Sequence, residues 1–318
     1  MNKPPILCFE TFDQWDTEPM NELFTVHQFP ASGKPEDLPV QVRESIRAFA
    51  FKGHSALGKD IIDCFPSLGL IANYGVGYDT IDVGYANSKG IKVSNTPDVL
   101  TDDVADLAVG MLLALNRDII GASNWVHNGN WATRGAYPLQ RSLSGVNVGI
   151  AGLGRIGYAV AQRLQGFDTN IHYYSREKKD TPGWTYNDDL VSLANNVDVL
   201  MVTVSGGPNT VKIISRDVIQ ALGSDGILVN CSRGSTVDED ALLGALESGE
   251  LRGAATDVFN NEPDIDPRFL KLNNVLLQPH QASATVETRK RMGRLQRDNI
   301  QRFFESKELL TEVIPESA

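Results

Sequence analysis

Three glycines stand at the spacing Gly-x-Gly-x-x-Gly in Gly152-Leu153-Gly154-Arg155-Ile156-Gly157. An apolar run precedes them and a helical pattern, 158–165, follows. That order places unsatisfied N–H groups and the positive end of a helix dipole at the turn, where a pyrophosphate is stabilised. Gly152 suits the tight turn, Gly154 the approach of backbone to phosphate, and Gly157 the packing of helix on strand. The motif with this context predicts a dinucleotide site. The next apolar run ends in Tyr173-Tyr174-Ser175-Arg176-Glu177-Lys178-Lys179. A site for NAD usually carries an acid there, to accept from the ribose hydroxyls. Here a hydroxyl, Ser175, is followed by the cations Arg176, Lys178 and Lys179. A carboxylate would repel a 2′-phosphate, whereas Arg176 can grip one with two hydrogen bonds. The cofactor expected is therefore NADP, with NAD the weaker alternative.

Reduction of a ketone with such a cofactor needs a proton donor, an anchor for the substrate and a group that tunes the donor. Of five histidines, His280 is singled out by its place at the end of the run Leu277-Gln278-Pro279-His280. Ligands of doubly wound sheets bind at such strand ends. Two more runs end in chemistry, Asn230-Cys231-Ser232-Arg233 and Asp257-Val258-Phe259-Asn260-Asn261-Glu262. Arg233 can hold an α-keto carboxylate in a bidentate fork. Glu262 can hydrogen-bond the imidazole and favour its protonated form. Cys231, beside Arg233, carries a second reading, a nucleophile of lowered pKa, against simple packing near the cofactor. No Cys/His spacing suggests a metal.

The elements that must present these residues alternate along the chain. Apolar runs at 6–9, 23–28, 48–51, 68–72 and 91–94 form one series. Runs at 146–150, 170–174, 197–203, 226–230, 253–258 and 275–278 form another, with helical patterns between most of them. Such alternation predicts an α/β fold of two doubly wound parallel sheets with helices on both faces. A long apolar helix is expected over 102–128, with Thr101 as its N-cap and Asp102 and Asp103 in its first turn. Its apolar residues fit either the core of the chain or a subunit interface. A basic helix is expected over 286–304.

The 318 residues suggest about two domains. With 40 acidic against 29 basic side chains the net charge is −11, which disfavours nucleic acid as a partner. Three cysteines make no disulfide framework and fit a reducing compartment. The run 6–9 is too short for a signal-peptide core, and 104–115 is too short and too charged to span a bilayer. The expectation is a cytoplasmic protein with no membrane and no nucleic acid among its partners.

Further segments carry a resemblance over nearly the whole chain: Asn73-Tyr74-Gly75-Val76-Gly77-Tyr78-Asp79, Asn95-Thr96-Pro97-Asp98-Val99-Leu100-Thr101-Asp102, Arg233-Gly234 with Val237-Asp238-Glu239, Asp257-Val258-Phe259, Glu262-Pro263 and Pro279-His280. With the glycine motif they make the chain similar to the D-isomer-specific 2-hydroxyacid dehydrogenases. Within that family it resembles the NADPH-dependent hydroxypyruvate and glyoxylate reductases and the plant hydroxyphenylpyruvate reductases. The resemblance implies a flavodoxin-like substrate domain, 1–98 with 286–318, and a Rossmann cofactor domain, 99–285, with the active site in the cleft between them. It implies that Arg233, Glu262 and His280 are catalytic and that backbone N–H groups of Val76 and Gly77 bind the substrate carboxylate. It implies that Arg155, Ile156, Ser175, Arg176, Val204, Thr210 and Cys231 line the cofactor and that Asp257 meets the nicotinamide carboxamide. It also implies a homodimer joined through the helix near 102–128.

The chain departs from the family pattern at Gln281, at Gly206-Gly207 and at Asn260-Asn261. The glycine pair is expected to loosen the cofactor loop, since glycine carries more backbone entropy. The reading is an NADPH-dependent reductase of a small 2-oxoacid (glyoxylate or hydroxypyruvate, with aryl pyruvates behind them) that yields the D-2-hydroxyacid. The alternatives are a cofactor-sensing protein of the corepressor type, a phosphoglycerate dehydrogenase and a formate dehydrogenase; Glu262 argues against the last. Replacing Arg176 by Ala is expected to weaken NADPH binding roughly ten- to a hundredfold and NADH binding little. Fluorescence titration with both nucleotides checks this, and equal losses would refute the phosphate contact.

Overall fold

The computed structural model describes residues 3–53 and 55–314. His54 lies outside the described residues, and so does that part of the loop 52–56. The chain divides into two compact units, Met1–Leu100 with Ala284–Ala318, and Thr101–Ser283.

The first unit is built on five parallel strands, β1 (Pro5–Cys8), β2 (Thr25–Gln28), β3 (Ala48–Phe51), β4 (Leu70–Asn73) and β5 (Lys92–Ser94), in the order β2-β1-β3-β4-β5. Side chains alternate across a strand, and each face finds its own cover. Leu7, Phe49, Phe51 and Ile71 pack with Ile46, Ile62 and Phe65. Ile6, Ala48, Ala50, Leu70 and Ala72 pack with Met20 and Phe24 of the helix Gln14–Leu23 and with Ile300 and Phe303 of the helix Val286–Glu305. Winding reverses between β1 and β3, which makes that pair the switch point of the sheet.

The second unit holds seven parallel strands, β6 (Asn147–Ala151), β7 (Asn170–Tyr174), β8 (Thr185–Asn187), β9 (Val199–Val202), β10 (Ile227–Asn230), β11 (Gly253–Thr256) and β12 (Val275–Leu277), ordered β12-β11-β10-β9-β6-β7-β8. Val148, Ile150, Tyr173, Val199 and Val229 face the helices Thr101–Asn116 and Arg155–Gln165. Leu200, Val202, Leu228 and Ala254 face the opposite cluster around Leu193, Ile219 and Leu243. The two parallel sheets with helices on both faces are the expected α/β architecture.

Two local expectations are corrected. The helix over 102–128 is two helices, Thr101–Asn116 and Ile119–His127. Asp118 breaks it: its backbone is left-handed, φ 44°, and its carboxylate accepts from the Gly121 N–H, capping the second helix. An Asp tolerates that conformation and competes for backbone donors, which ends a helix as readily as it starts one. Thr101 is itself the first helical residue, not the cap. The first of the two helices buries Val104, Ala105, Ala108, Met111 and Leu112 within the unit, whereas Ile119, Ile120 and Val126 of the second are exposed. The edge strand β8 was not expected; it spans only three residues after Pro182-Gly183. Among the described residues no helix is long and apolar enough to cross a membrane.

The glycines of the motif answer to different neighbours. A Cβ on Gly157 would stand against the Gly152 carbonyl and 2.7 Å from Thr203 Oγ1; one on Gly154 would meet nothing within 4 Å. Gly157→Ala is therefore expected to lose about 1–3 kcal/mol of stability in urea unfolding, and Gly154→Ala less than about 1 kcal/mol.

Candidate active site

Neighbouring strands β10, β11 and β12 deliver Arg233, Glu262 and His280 to one edge of the seven-stranded sheet. Arg233 follows β10 on a turn held from both sides. The Asn230 amide donates to the Arg233 carbonyl at 3.1 Å and accepts from the Ser232 N–H at 3.0 Å. The Thr236 hydroxyl donates to the same carbonyl at 2.7 Å. The guanidinium Nη1 donates to the Ser232 carbonyl at 2.9 Å, which fixes the root of the fork. Gly234 lies so close to the next strand end that a Cβ would collide with the Phe259 carbonyl group and stand 2.5 Å from the Asn260 nitrogen. The arginine turn and the glutamate turn are thereby packed backbone to backbone.

Glu262 is fixed by the turn it closes. Its Oε1 accepts from the Phe259 N–H at 2.7 Å, and its Oε2 lies 2.6 Å from His280 Nδ1. A carboxylate only accepts, so Nδ1 carries the hydrogen and Nε2 is the nitrogen turned to chemistry. Both side chains are about a quarter exposed or less, enough for a small molecule to reach the ring. Asn260 N–H donates to Glu239 Oε2 at 3.1 Å and ties the same turn from outside.

His280 itself has a left-handed backbone, φ 51°. A non-glycine residue holds that conformation only where its surroundings impose it. Here Asp257 imposes it. The His280 N–H donates to the Asp257 carbonyl at 2.8 Å; the N–H groups of Gln281 and Ala282 donate to the two carboxylate oxygens at 2.8 and 2.9 Å. Burial pushes the Asp257 carboxyl above its ordinary range, and those two backbone donors oppose the rise. Gln281, one of the departures from the family pattern, donates its backbone N–H to Asp257 and its side-chain amide to the Gln278 side chain.

The glycine turn fits a dinucleotide. Gly152 has φ 100°, its N–H donates to the Tyr174 carbonyl at 2.9 Å, and the Val204 backbone closes on it from β9. Thr203 Oγ1 donates to the Gly152 carbonyl at 2.8 Å. With Gly152 and Gly157 pressed by protein and Gly154 facing open space, the bare Gly154 leaves room for a ligand rather than for a neighbour. Arg155 and Ile156 open the helix above it. Ser175 is buried and donates to the Glu177 carbonyl at 2.5 Å, bending the turn; Arg176, Lys178 and Lys179 are exposed. The loop with Gly206-Gly207 is tied rather than loose, since Thr210 Oγ1 donates to the carbonyls of Ser205 and Gly207 at 2.7 and 3.1 Å. Burial, then the charge of Asp257, push the Cys231 thiol up, away from thiolate, which favours the packing reading over the nucleophile one.

In the other unit, Val76 and Gly77 lie on the turn after β4. Asn73 Nδ2 donates to the carbonyls of Gly75 and Gly77 at 3.1 and 2.8 Å, Thr96 N–H to Gly75 at 2.9 Å, and Asn95 Nδ2 to Val76 at 2.9 Å. A trans peptide points its N–H opposite its C=O. Carbonyls pulled inward at Gly75 and Val76 therefore turn the N–H groups of Val76 and Gly77 outward, as an anion requires. Asn73 and Asn95 were read only as parts of a resemblance; their position at the ends of β4 and β5 was the available signal. Gln296, wholly buried on the last helix, was missed. Its amide donates to the carbonyls of Phe51 and Ala72 at 3.1 and 2.8 Å and holds the ends of β3 and β4 together.

Residues 109–282 match the family described as D-isomer specific 2-hydroxyacid dehydrogenase, NAD binding domain. The chain is 43% identical over 295 residues, 93% of its length and 94% of the relative's, to a hydroxyphenylpyruvate reductase of Plectranthus scutellarioides. Among solved structures it is similar to a 2-hydroxyacid dehydrogenase of Ketogulonicigenium vulgare Y25, with 48% identity, a TM-score of 0.92 and full coverage of both chains. It is also similar to an NADPH-dependent glyoxylate/hydroxypyruvate reductase of Sinorhizobium meliloti solved with NADP and malonate, with 41% identity, a TM-score of 0.93 and full coverage of both.

If Asp257 pins the histidine segment, Asp257→Ala will strip protection from the Gln281 and Ala282 amides. Hydrogen exchange should speed up there by roughly ten- to a hundredfold, with the β6 and β9 amides unchanged.

Proposed function

Because the chain belongs to the family of D-isomer-specific 2-hydroxyacid dehydrogenases, we propose that it reduces a small 2-oxoacid to the D-2-hydroxyacid with NADPH. The observation that carries the reading is the His280–Glu262 pair, 2.6 Å apart, on the strand end next to that of Arg233. In this reading Thr101–Ser283 is the cofactor unit and the remainder holds the substrate carboxylate. Gly152, Gly154, Gly157, Arg155 and Ile156 take the pyrophosphate at the helix start, with Val204, Thr210 and Cys231 lining the rest. Ser175 and Arg176 take the ribose and its 2′-phosphate, which is why NADP is favoured over NAD. When bound, the reduced nicotinamide supplies hydride to C2 of the substrate.

The chain supplies the rest. The Val76 and Gly77 N–H groups hold the carboxylate. Arg233 spans carboxylate and carbonyl oxygen, stabilising the charge that develops on that oxygen. His280 releases its Nε2 proton to the oxygen as it becomes an alkoxide, while Glu262 keeps Nδ1 protonated and the ring in register. In the oxidative direction the same nitrogen takes the proton back. Asp257 meets the carboxamide while its carboxylate steadies residues 280–282. Glyoxylate and hydroxypyruvate are the first substrates in this reading, with aryl pyruvates behind them.

The reading includes a homodimer joined through the helical segment near 102–128, where Ile119, Ile120 and Val126 stand exposed, with Trp131 and Leu139 exposed just beyond it. It places the enzyme in the cytoplasm, in keeping with three free cysteines. Initial rates of NADPH and NADH oxidation with glyoxylate, hydroxypyruvate and phenylpyruvate test it. His280→Ala should lower kcat roughly 10²–10⁴-fold and leave NADPH binding intact. Arg233→Ala should raise KM sharply as well as lower kcat. No turnover with any pair, with NADPH still binding, would sink the assignment.

A further inference from the structure

We propose that Glu10 is a specificity-determining residue that accepts hydrogen bonds from hydroxyl groups on the substrate's tail, so that the enzyme selects hydroxylated 2-oxoacids over their deoxy and apolar counterparts. The proposal rests on the reading above for the reaction and adds what the tail must carry.

The five-stranded sheet is doubly wound. Ligands of such sheets bind beyond the carboxyl ends of the strands, at the point where winding reverses. In the order β2-β1-β3-β4-β5 that point lies between β1 and β3. Glu10 stands two residues past the end of β1, and Lys52-Gly53 directly past the end of β3. Glu10 has φ 61°, the same left-handed backbone that His280 shows past the end of β12. The Gln28 amide donates to the Glu10 carbonyl at 2.6 Å and fixes that conformation.

The side chain is exposed to solvent, yet it lies back along the sheet end rather than extending away from it. It folds over the end of β3, and its carboxylate occupies the place where a Cβ on Gly53 would stand. Gly53 itself has φ 122°, a conformation that suits only glycine, so the seat beneath the carboxylate is kept bare. The strand beyond β3 is β4, and the turn that follows it carries the Val76 and Gly77 N–H groups. Adjacent strands lie about 5 Å apart. A 2-oxoacid held by its carboxylate at that turn, with its tail directed toward the switch point, brings the groups on C3 and beyond level with Glu10. A carboxylate there accepts hydrogen bonds and repels a second anion. It matches hydroxyls and offers nothing to a methyl or a phenyl group. Lys52, whose ammonium donates to the Thr11 carbonyl at 2.8 Å and lies over the rings of Phe12 and Tyr74, is turned to the protein rather than to the tail.

The test compares kcat/KM for hydroxypyruvate, pyruvate, oxaloacetate and phenylpyruvate with NADPH, in the wild type and in two variants. Glu10→Leu removes the acceptor. Glu10→Asn shortens the side chain by one methylene and replaces the carboxylate with an uncharged amide, while suiting the left-handed backbone. The wild type should prefer hydroxypyruvate to pyruvate by at least about tenfold. Both variants should cut that ratio by at least about tenfold, with the KM for NADPH unchanged and melting temperatures reported alongside. A wild type indifferent to the hydroxyl, or stable variants that keep its preference, would overturn the role of Glu10 while leaving the reductase reading intact. A preference for oxaloacetate would overturn it in favour of a cationic tail site. If the wild type turned over none of the four and not glyoxylate either, the functional reading would fall, and this proposal with it; turnover of glyoxylate alone would overturn only this proposal.

Discussion

The site depends on one buried carboxylate. Asp257 is 1% exposed, and its two oxygens are occupied by successive backbone N–H groups, those of Gln281 and Ala282. Residue 280, which follows β12, is neither helix nor strand and has a left-handed backbone. A free loop there would hold the imbalance between a positive φ and an L-residue only briefly. The two charge-assisted hydrogen bonds outweigh that strain of roughly 1–3 kcal/mol, and the imidazole then meets Glu262 at hydrogen-bond distance without further adjustment. Burial of an acid, costly by itself, is in this way turned into the rigidity of a proton donor.

A complementary device serves three other functional turns: short polar side chains satisfy backbone carbonyls where strands end. Asn230 and Thr236 do so beneath Arg233, Asn73 and Asn95 beneath Val76 and Gly77, and Thr203 and Thr210 around the glycine turn. Loops that leave a parallel sheet carry unpaired carbonyls, and a buried one without a donor is expensive. Meeting the need with Asn and Thr also sets which way each peptide plane points. The anion-binding N–H groups of Val76 and Gly77 are thus a product of carbonyls satisfied on the far side.

Much of this was legible in the sequence, and the reason is periodicity. The strands were visible because buried parallel strands are continuous apolar runs, as Ala48–Phe51 and Ile227–Asn230 are. Arg233, Glu262 and His280 stood out only jointly, because an arginine, an acid and a histidine follow three successive apolar runs; singly, Arg233 and Glu262 would read as surface ion pairs. What stayed hidden was decided by single backbone angles or by packing. The helix break rests on φ at Asp118, which no pattern of apolar residues encodes. The upward push on the Cys231 thiol comes from burial and from Asp257, a residue distant in sequence. Gln296 is one polar residue in a basic helix, and only the fold shows that it holds two strand ends.

The helix Val286–Glu305 has a consequence for how the chain is made. It supplies Ile300 and Phe303 to the face of the first sheet that also holds Ile6, Ala50 and Leu70, and Thr288 on it reaches the carbonyl of Val99, where the chain first leaves that unit. The strands of that unit are thus left with one apolar face only partly covered, by the helix Gln14–Leu23, until residues 286–305 have been synthesised. The inserted unit, Thr101–Ser283, has its full set of strands before then. The usual order, N-terminal domain first, is reversed: the unit begun first is finished last, and its early strands are the ones a nascent-chain chaperone would have to shield.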